Sequence, residues 1–192
     1  MLDIISIGDA TLDTFVRVRD ASVACTLDKK RCQLCFDYAE KIPIQQLNQT
    51  LGGNALNNAV GSARLGMHAS FYSVIGDDET GKKVVSELSR ERVNQKYLDV
   101  HKGSSTNYSV VLNYKAERTI LQYAHPRTYH IPKFEKTKWI YYTAIGKNFS
   151  QLETHLLHVC RDLRAKMAFN PGTGQIRKGI KKLAPVFKHA EV

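Results

Sequence analysis

A stretch rich in glycine and asparagine, LGGNALNNAVGSARLG (Leu51 to Gly66), carries the side chains best suited to bind a ligand. Its second half has small and apolar residues at every third or fourth position, which predicts a helix packed closely on another element. Its first half weakens that helix, because glycine is a poor helix former and asparagine side chains compete with the backbone for hydrogen bonds. A local rule broken at one place indicates a site, so Gly52, Gly53, Asn54 and Asn57 are candidate binding residues.

A second polar cluster, GDATLD, follows DIISIG (Asp3 to Gly8), an apolar run that is typical of a buried strand. In parallel α/β sheets ligands bind beyond the carboxyl ends of strands, and both clusters are expected there. The Asp13 carboxylate can accept two hydroxyl hydrogen bonds, Asn57 can donate and accept, and Gly52 and Gly53 let the backbone approach a ligand. This set suits a polyhydroxylated molecule. The alternative is that Asp13 caps a turn and the glycines only allow tight helix packing.

The order of predicted elements is β-α-β-α, followed by further strands and helices, which predicts an α/β fold with a mostly parallel sheet covered by helices. Residues 20–50 and the hairpin-like TNYSVVLNYKAERTILQY (Thr106 to Tyr123) break the pattern, and we expect them to form an accessory sheet. Ser150 and Glu153 match a capping box at a helix start. The closing VFKHAEV is predicted to begin another strand, so we expect the chain to be part of a longer protein.

The formal net charge of +10 over 192 residues is concentrated in the last third of the chain. Residues 1–130 hold 16 Lys and Arg against 14 Asp and Glu, whereas residues 131–192 hold 12 against 4. No aromatic residues interleave with these late charges, so they favour a solvated basic face over a nucleic-acid site. The amino terminus lacks the basic region of a signal peptide and no apolar run approaches a membrane span, so we expect a cytoplasmic protein without a membrane partner.

Three of the four cysteines, Cys25, Cys32 and Cys35, form a C-x6-C-x2-C pattern. Cytoplasmic cysteines are expected to be reduced, and two thiolates at C-x2-C spacing can share one zinc ion. The pattern therefore predicts a structural Zn²⁺ site whose fourth ligand is another residue such as His68 or His101, or a cysteine of a partner subunit. The alternative is that these are ordinary reduced thiols, as we expect for Cys160.

The segments SIGDATLD, LGGNALNNAVGSARLG and VIGDDETG, in this order, closely resemble the amino-terminal part of the ribokinase-like, or PfkB-type, carbohydrate kinases. The resemblance implies a three-layer α/β/α core from residues 1–14, 51–100 and 124–192, with a small β lid from about 15–50 and 101–123. It implies that Asp13, Gly53 and Asn57 hold sugar hydroxyls, and that Asn170 begins a turn near the junction of the sugar and nucleotide sites. Family lids often mediate dimer formation, so a homodimer through the lid is expected.

The resemblance implies ATP-dependent phosphorylation of a sugar or sugar-phosphate hydroxyl, with Mg²⁺ and ATP as cofactors of the full-length enzyme. The family's catalytic aspartate lies in a Gly-Ala-Gly-Asp motif that this sequence does not contain. We therefore expect the catalytic base beyond Val192 and no kinase activity from this chain alone. The alternatives are a nucleoside kinase, with Phe15, Tyr108 or Tyr123 stacking on a base, an inactive sugar-binding module, and, less favoured, a zinc-dependent nucleic-acid binder.

Overall fold

A computed structural model describes residues 1–146 and 149–192, which form two compact units. The large unit comprises residues 1–11, 51–107 and 124–192, and the small unit comprises residues 12–50 and 108–123. In chain order the elements are β1 (Leu2–Ile7), β2 (Thr11–Val18), β3 (Ser22–Cys25), β4 (Cys32–Cys35), β5 (Ile44–Gly52), α1 (Asn54–Arg64), β6 (Ala69–Gly76), α2 (Glu79–Arg90), β7 (Leu98–His101), β8 (Asn107–Tyr114), β9 (Glu117–Tyr123), β10 (Thr137–Thr143), α3 (Ser150–Leu163), β11 (Lys166–Asn170), α4 (Thr173–Ile176) and α5 (Ile180–His189).

The large unit is built on a five-stranded parallel sheet in the order β11-β10-β1-β6-β7. Strand β6 is buried along its whole length and shows how both faces are covered. Phe71 and Ile75 pack in one core cluster with α1 and α2, whereas Tyr72 and Val74 pack in a second cluster with α3 and α5. Successive side chains of a strand point to opposite faces, so helices cover both sides of the sheet. The predicted α/β fold with a mostly parallel sheet is confirmed.

The glycine- and asparagine-rich stretch forms helix α1 from Asn54 to Arg64, as the periodicity of the stretch predicts. Ala55, Leu56 and Ala59 are almost fully buried, and their spacing places them on one helical face. The small side chains let the helix approach the sheet closely, where it contacts β1, β6 and β10. Full burial of Leu56 alone contributes about 1.5–3 kcal/mol to folding.

The carboxy-terminal elements differ from the prediction. The expected strand in VFKHAEV is wrong for its first part, because Val186 to His189 belong to α5. Leu183 and Val186 are both buried and lie three residues apart, which is the spacing of a helical face. Only the last residues run beside β11, where the Glu191 N–H donates to the Met167 carbonyl at 2.8 Å and the Phe169 N–H donates to the Val192 carbonyl at 2.8 Å.

The small unit contains a four-stranded sheet in the order β5-β2-β8-β9. Strands β8 and β9 pair in antiparallel fashion with Asn113 opposite Arg118, as the hairpin pattern predicts. Strand β2 alternates strictly between buried and more exposed residues. One side of this sheet therefore has a buried set of β2 side chains, and the other carries Asp13 and Phe15, both partly exposed.

The structure contradicts the prediction that Cys25, Cys32 and Cys35 are reduced and share a zinc ion. Cys25 and Cys32 face each other across the antiparallel β3–β4 pair and form a disulfide, so they are not reduced thiols or thiolate ligands. Cys35 lies three residues after Cys32 on the same strand, and residues three apart on a strand point to opposite faces. The predicted zinc site at Cys25, Cys32 and Cys35 is therefore not formed. Cys160 is buried in α3, and burial raises the pKa of its thiol to about 12.

Across residues 1–146 and 149–192, no helix is both long enough and apolar enough to cross a membrane.

Candidate functional site

Gly53, the residue before α1, lies very close to the backbone that follows β1. Its φ of 103° lies in the left-handed region that favours glycine. A Cβ atom at this position would lie 2.2 Å from the carbonyl oxygen of Asp9, far inside van der Waals contact. The glycine is therefore required both for the backbone conformation and for the contact. This contact sets where the first turn of α1 lies along the carboxyl edge of the sheet.

The three asparagines of that first turn have different surroundings. Asn58 accepts a hydrogen bond from the Ser6 hydroxyl at 2.7 Å, so it ties α1 to β1 and has a structural role. Asn54 and Asn57 are exposed and lie three residues apart, on the same helical face. Their exposure leaves amide donors and acceptors at the surface of the large unit, at the position where the sequence predicts a binding role.

A hydrogen-bonded chain connects Asn54 with the turn after β11. The Asn54 Nδ2 donates to Thr143 Oγ1 at 3.4 Å, and the Thr143 hydroxyl donates to the Asn170 carbonyl at 2.7 Å. The Asn170 side chain donates to the Tyr141 hydroxyl at 3.2 Å. Thr143 is fully buried at the end of β10 and was not predicted, because an isolated threonine carries no sequence signal. The structure thus brings together two predicted site residues, Asn54 and Asn170, through one that was missed.

A buried polar network holds the turn that Asn170 begins. Gln175 Oε1 accepts the Gly172 N–H at 2.7 Å, while its Nε2 donates to Tyr142 at 2.8 Å and to Glu153 at 3.3 Å. Tyr142 also donates to Glu153 at 3.1 Å, and burial raises the pKa of Glu153. The predicted capping role of Glu153 is wrong, because helix α3 has Phe149 at its N-cap without a side-chain hydrogen bond. Instead Glu153 anchors the turn after β11.

Asp9, directly after β1, is a residue that the sequence reasoning missed. Its carboxylate accepts the Tyr129 hydroxyl proton at 3.0 Å, and the Tyr129 oxygen in turn accepts the Gly146 N–H at 3.0 Å. Desolvation by burial raises the pKa of Asp9 to about 6, partly offset by hydrogen bonds from Tyr129 and Asn107 and by the charge of Arg127. The sequence feature that could have identified Asp9 is its position immediately beyond the first predicted strand. We assign Asp9 a positioning role, because it holds two loops at the strand end.

Asp13 does not lie past the end of the first strand, as the sequence predicted, but within β2 of the small unit. It is partly exposed, and strand alternation places Phe15 and Arg17 on the same face. Tyr108 bonds to the Thr14 hydroxyl, and Tyr123 lies opposite Tyr108 in register, so both lie on the other face. Of the three aromatic residues considered for base stacking, only Phe15 shares the Asp13 face.

The described part of the chain contains no group of three or more His, Cys, Asp or Glu side chains placed to hold a metal ion. Burial alone would raise the pKa of Asp78, but hydrogen bonds from Thr106 and Gly81 hold this pKa below its ordinary value. The same carboxylate caps helix α2. Asp77 accepts the Gly103 N–H at 2.9 Å. These carboxylates are engaged in local structure, so no step of nucleotide chemistry is assigned to them.

Comparison with known proteins identifies the family. The model of the pfkB family carbohydrate kinases matches residues 17–172, most of the chain. The chain belongs to this family. Gly52, Gly53, Asn54, Asn57 and Asn170 lie inside the range matched by the pfkB model, whereas Asp13 lies just before it.

Curated pfkB-type relatives match parts of the chain. A fructosamine kinase of Bacillus subtilis is 34% identical over 71 residues, which are 37% of this chain and 25% of that protein. A fructokinase of Klebsiella pneumoniae is 31% identical over 108 residues, which are 53% of this chain and 35% of that protein. The chain thus spans between a quarter and about a third of the length of these relatives.

Solved structures confirm the ribokinase-like fold. A ribokinase of Giardia lamblia superposes with a TM-score of 0.74 at 13% identity, covering 95% of this chain and 59% of that one. A nucleoside kinase of Methanocaldococcus jannaschii superposes with a TM-score of 0.73 at 17% identity, covering 99% of this chain and 59% of that one. At these identities the likeness shows the fold of the pfkB family and nothing about the substrate.

The Gly53 contact gives a prediction about stability with an internal control. We expect Gly53→Ala to lower the free energy of unfolding by at least about 2 kcal/mol, because the new Cβ meets the Asp9 carbonyl and alanine disfavours positive φ. Gly61→Ala in the same helix meets nothing within 4 Å and should raise the free energy of unfolding by about 0.5–1 kcal/mol. Urea unfolding measures both. A Gly53→Ala protein as stable as the wild type would refute the contact.

The raised pKa of Asp9 predicts the pH dependence of stability. Between about pH 4 and 6 the folded protein holds a proton on Asp9 that the unfolded chain has released, so this residue makes stability fall as pH rises through that window. Asp9→Asn removes this contribution. The free energy of unfolding of the wild type should therefore fall relative to that of Asp9→Asn by up to about 1.4 kcal/mol for each pH unit between about pH 4 and 6. Above about pH 6 the difference between the two proteins should stay constant. The exposed Asp37→Asn is the charge control, and parallel profiles of wild type and Asp9→Asn would contradict the assignment.

Proposed function

We propose that this chain supplies the sugar-binding part of an enzyme that transfers the γ-phosphoryl group of ATP to a hydroxyl of a sugar or sugar phosphate. Membership of the pfkB family supports the reaction class. The observation that carries the binding role is the polar first turn of α1, where Asn54 and Asn57 are exposed and Gly53 brings the backbone to the carboxyl edge of the sheet. Asp13, partly exposed in β2, is proposed as a further acceptor of sugar hydroxyls.

Each proposed residue has a chemical role that its surroundings permit. The Asp13 carboxylate accepts two hydroxyl protons, which fixes a vicinal diol more firmly than a neutral acceptor does. The side chains of Asn54 and Asn57 donate to and accept from other hydroxyls. Gly53 is partly exposed and presents backbone without a side chain, whereas Gly52 is buried at the end of β5 and allows the close approach of that turn. Asn170 begins a turn that we propose lies near the substrate. We propose that the catalytic base and the residues that hold Mg-ATP belong to the remainder of a longer protein, because this chain spans only part of the length of its curated relatives.

One observation favours a nucleoside as the alternative substrate. Phe15 is partly exposed, two residues from Asp13 and on the same face of the small sheet. An aromatic ring in that position can stack on a base while Asp13 holds ribose hydroxyls. Assaying adenosine beside the ketoses distinguishes the two substrates.

The decisive variant is Asp13→Asn, which keeps the side-chain size and removes the charge. In a protein that contains the chain and the rest of the kinase, we expect kcat/KM for the sugar to fall by a factor on the order of 10 to 100, because hydrogen bonds to a charged acceptor are lost. The melting temperature should stay unchanged, and Asp37→Asn, an exposed aspartate of the same unit, should keep full activity. Full activity of Asp13→Asn would remove Asp13 from the site. Sugar binding without transfer would indicate the inactive module instead.

We also propose that the small sheet mediates homodimer formation through the face opposite Asp13. Leu47, Leu121 and Tyr123 lie on this face and are each about half exposed, an apolar surface that association would cover. Leu121→Lys should convert the dimer to a monomer in sedimentation velocity. Ile120→Lys, a matched change of an equally exposed residue on the Asp13 face, should leave the dimer intact. A wild type that sediments as a monomer would refute this interface.

A further inference from the structure

The small sheet carries an open cavity of about 350 Å³ on the face of Asp13. We call it the basic cavity, because Arg17, Lys115 and Arg118 line it against a single acidic residue, Glu117. All of its lining residues belong to the small unit, so it exists within one compact body.

The strand register explains why these side chains converge. Arg17 follows Phe15 by two residues on β2, so both point to the Asp13 face. Asn113 of β8 lies directly opposite Arg118 of β9, which places the amide and the guanidinium side by side across the hairpin. Asn48 of β5 closes the cavity beyond β2, because β5 is the neighbour of β2 in the sheet.

The cations of the basic cavity are not neutralised by the surrounding protein. Within the described residues, neither Arg17 nor Arg118 is in ion-pair distance of a carboxylate. Lys115 likewise forms no ion pair within the described residues, and its ammonium lies over the ring of Tyr114, 5.3 Å from the ring centre. The positive potential of these groups favours an anion in the cavity.

The chemistry of the lining is that of a carboxylate or phosphate site. A guanidinium presents a planar pair of N–H donors that matches two oxygens of either group, and two guanidiniums face this cavity. The amides of Asn48 and Asn113 add N–H donors, and the Phe15 ring supplies an apolar wall.

The spacing from Asp13 determines what kind of molecule can use both positions. Arg17 is four residues after Asp13 on the same strand, a backbone distance of roughly 13 Å, with Phe15 between them. A ligand whose hydroxyls meet Asp13 therefore needs a substituent directed along β2 to place an anion between the arginines. A neutral monosaccharide leaves the cavity unused.

We propose that the basic cavity is a subsite for the carboxylate or phosphate group of a sugar substrate whose hydroxyls are held by Asp13. This rests on the proposed sugar-binding function and adds the class of substrate to it. An anionic sugar derivative is then preferred over the neutral sugar, and the preference resides in Arg17 and Arg118.

Isothermal titration calorimetry of the protein with three matched ligands tests this subsite: fructose, fructose 6-phosphate and the C6 carboxylate of fructose. We expect at least one anionic ligand to bind about tenfold or more tightly than fructose, with an affinity that falls as salt rises. Whichever of the two binds better tells whether the subsite takes a phosphate or a carboxylate. Inorganic phosphate alone is the fourth probe, because it reports on the cavity without the sugar.

The test variant is the double change Arg17→Gln with Arg118→Gln, and the control is Arg19→Gln with Arg31→Gln, two exposed arginines of the same unit outside the cavity. The test variant should bind the anionic sugar as weakly as fructose and keep its affinity for fructose. The control should keep the preference despite the same loss of charge. Unchanged melting temperatures show that both variants are folded.

Two results would overturn the subsite: equal affinities of the wild type for fructose and both anionic ligands, or a preference that survives in the test variant. If fructose binding is retained and depends on Asp13, only the subsite fails. If no sugar binds while inorganic phosphate binds to the wild type and not to the test variant, the anion site stands and the proposed sugar-binding function fails.

Discussion

The backbone contact between Gly53 and Asp9 is the constraint on which the arrangement of the large unit depends. Only a residue without a Cβ can bring the start of α1 this close to the end of β1. Because of this contact, Asn54 lies within reach of Thr143 at the end of β10. A bulkier residue would move the whole first turn, and with it the exposed amides, away from the carboxyl edge of the sheet.

Burial and hydrogen bonding separate the polar residues of this edge into two groups. Asp9, Thr143 and Glu153 are largely withdrawn from solvent and bonded within the protein, so they fix strand ends and turns. Asn54 and Asn57 remain exposed, which is what a ligand requires. A buried polar framework limits the movement of the exposed groups and so lowers the entropy lost when a ligand binds.

Strand alternation gives the two faces of the small sheet different side chains. The Asp13 face carries the basic cavity, whereas the opposite face exposes Leu47, Leu121 and Tyr123. A period of two residues therefore separates the proposed ligand contacts from the proposed subunit contacts. A register shift of one residue would exchange the two faces.

Sequence patterns predicted β1, α1, β6 and the β8–β9 hairpin, which the structure contains. Sequence patterns failed where contacts between residues far apart in the chain determine the local structure. Ser150 and Glu153 have the spacing of a capping box, but Glu153 is drawn into a buried bond with Tyr142. Val186 and Phe187 in the last turn of α5 resemble the start of a strand, but α5 is helical there and packs against β11 and α3. Cys32 and Cys35 have zinc-ligand spacing, yet an extended strand points them apart.

The central claim is that this chain binds a sugar through Asp13 and the first turn of α1. Mapping amide NMR shifts of the isotope-labelled protein during titration with fructose and fructose 6-phosphate tests it residue by residue. The account predicts the largest shifts at Asp13 and its β2 neighbours and at residues 53–57. Shifts confined to other surfaces, or none at saturating sugar, would contradict it.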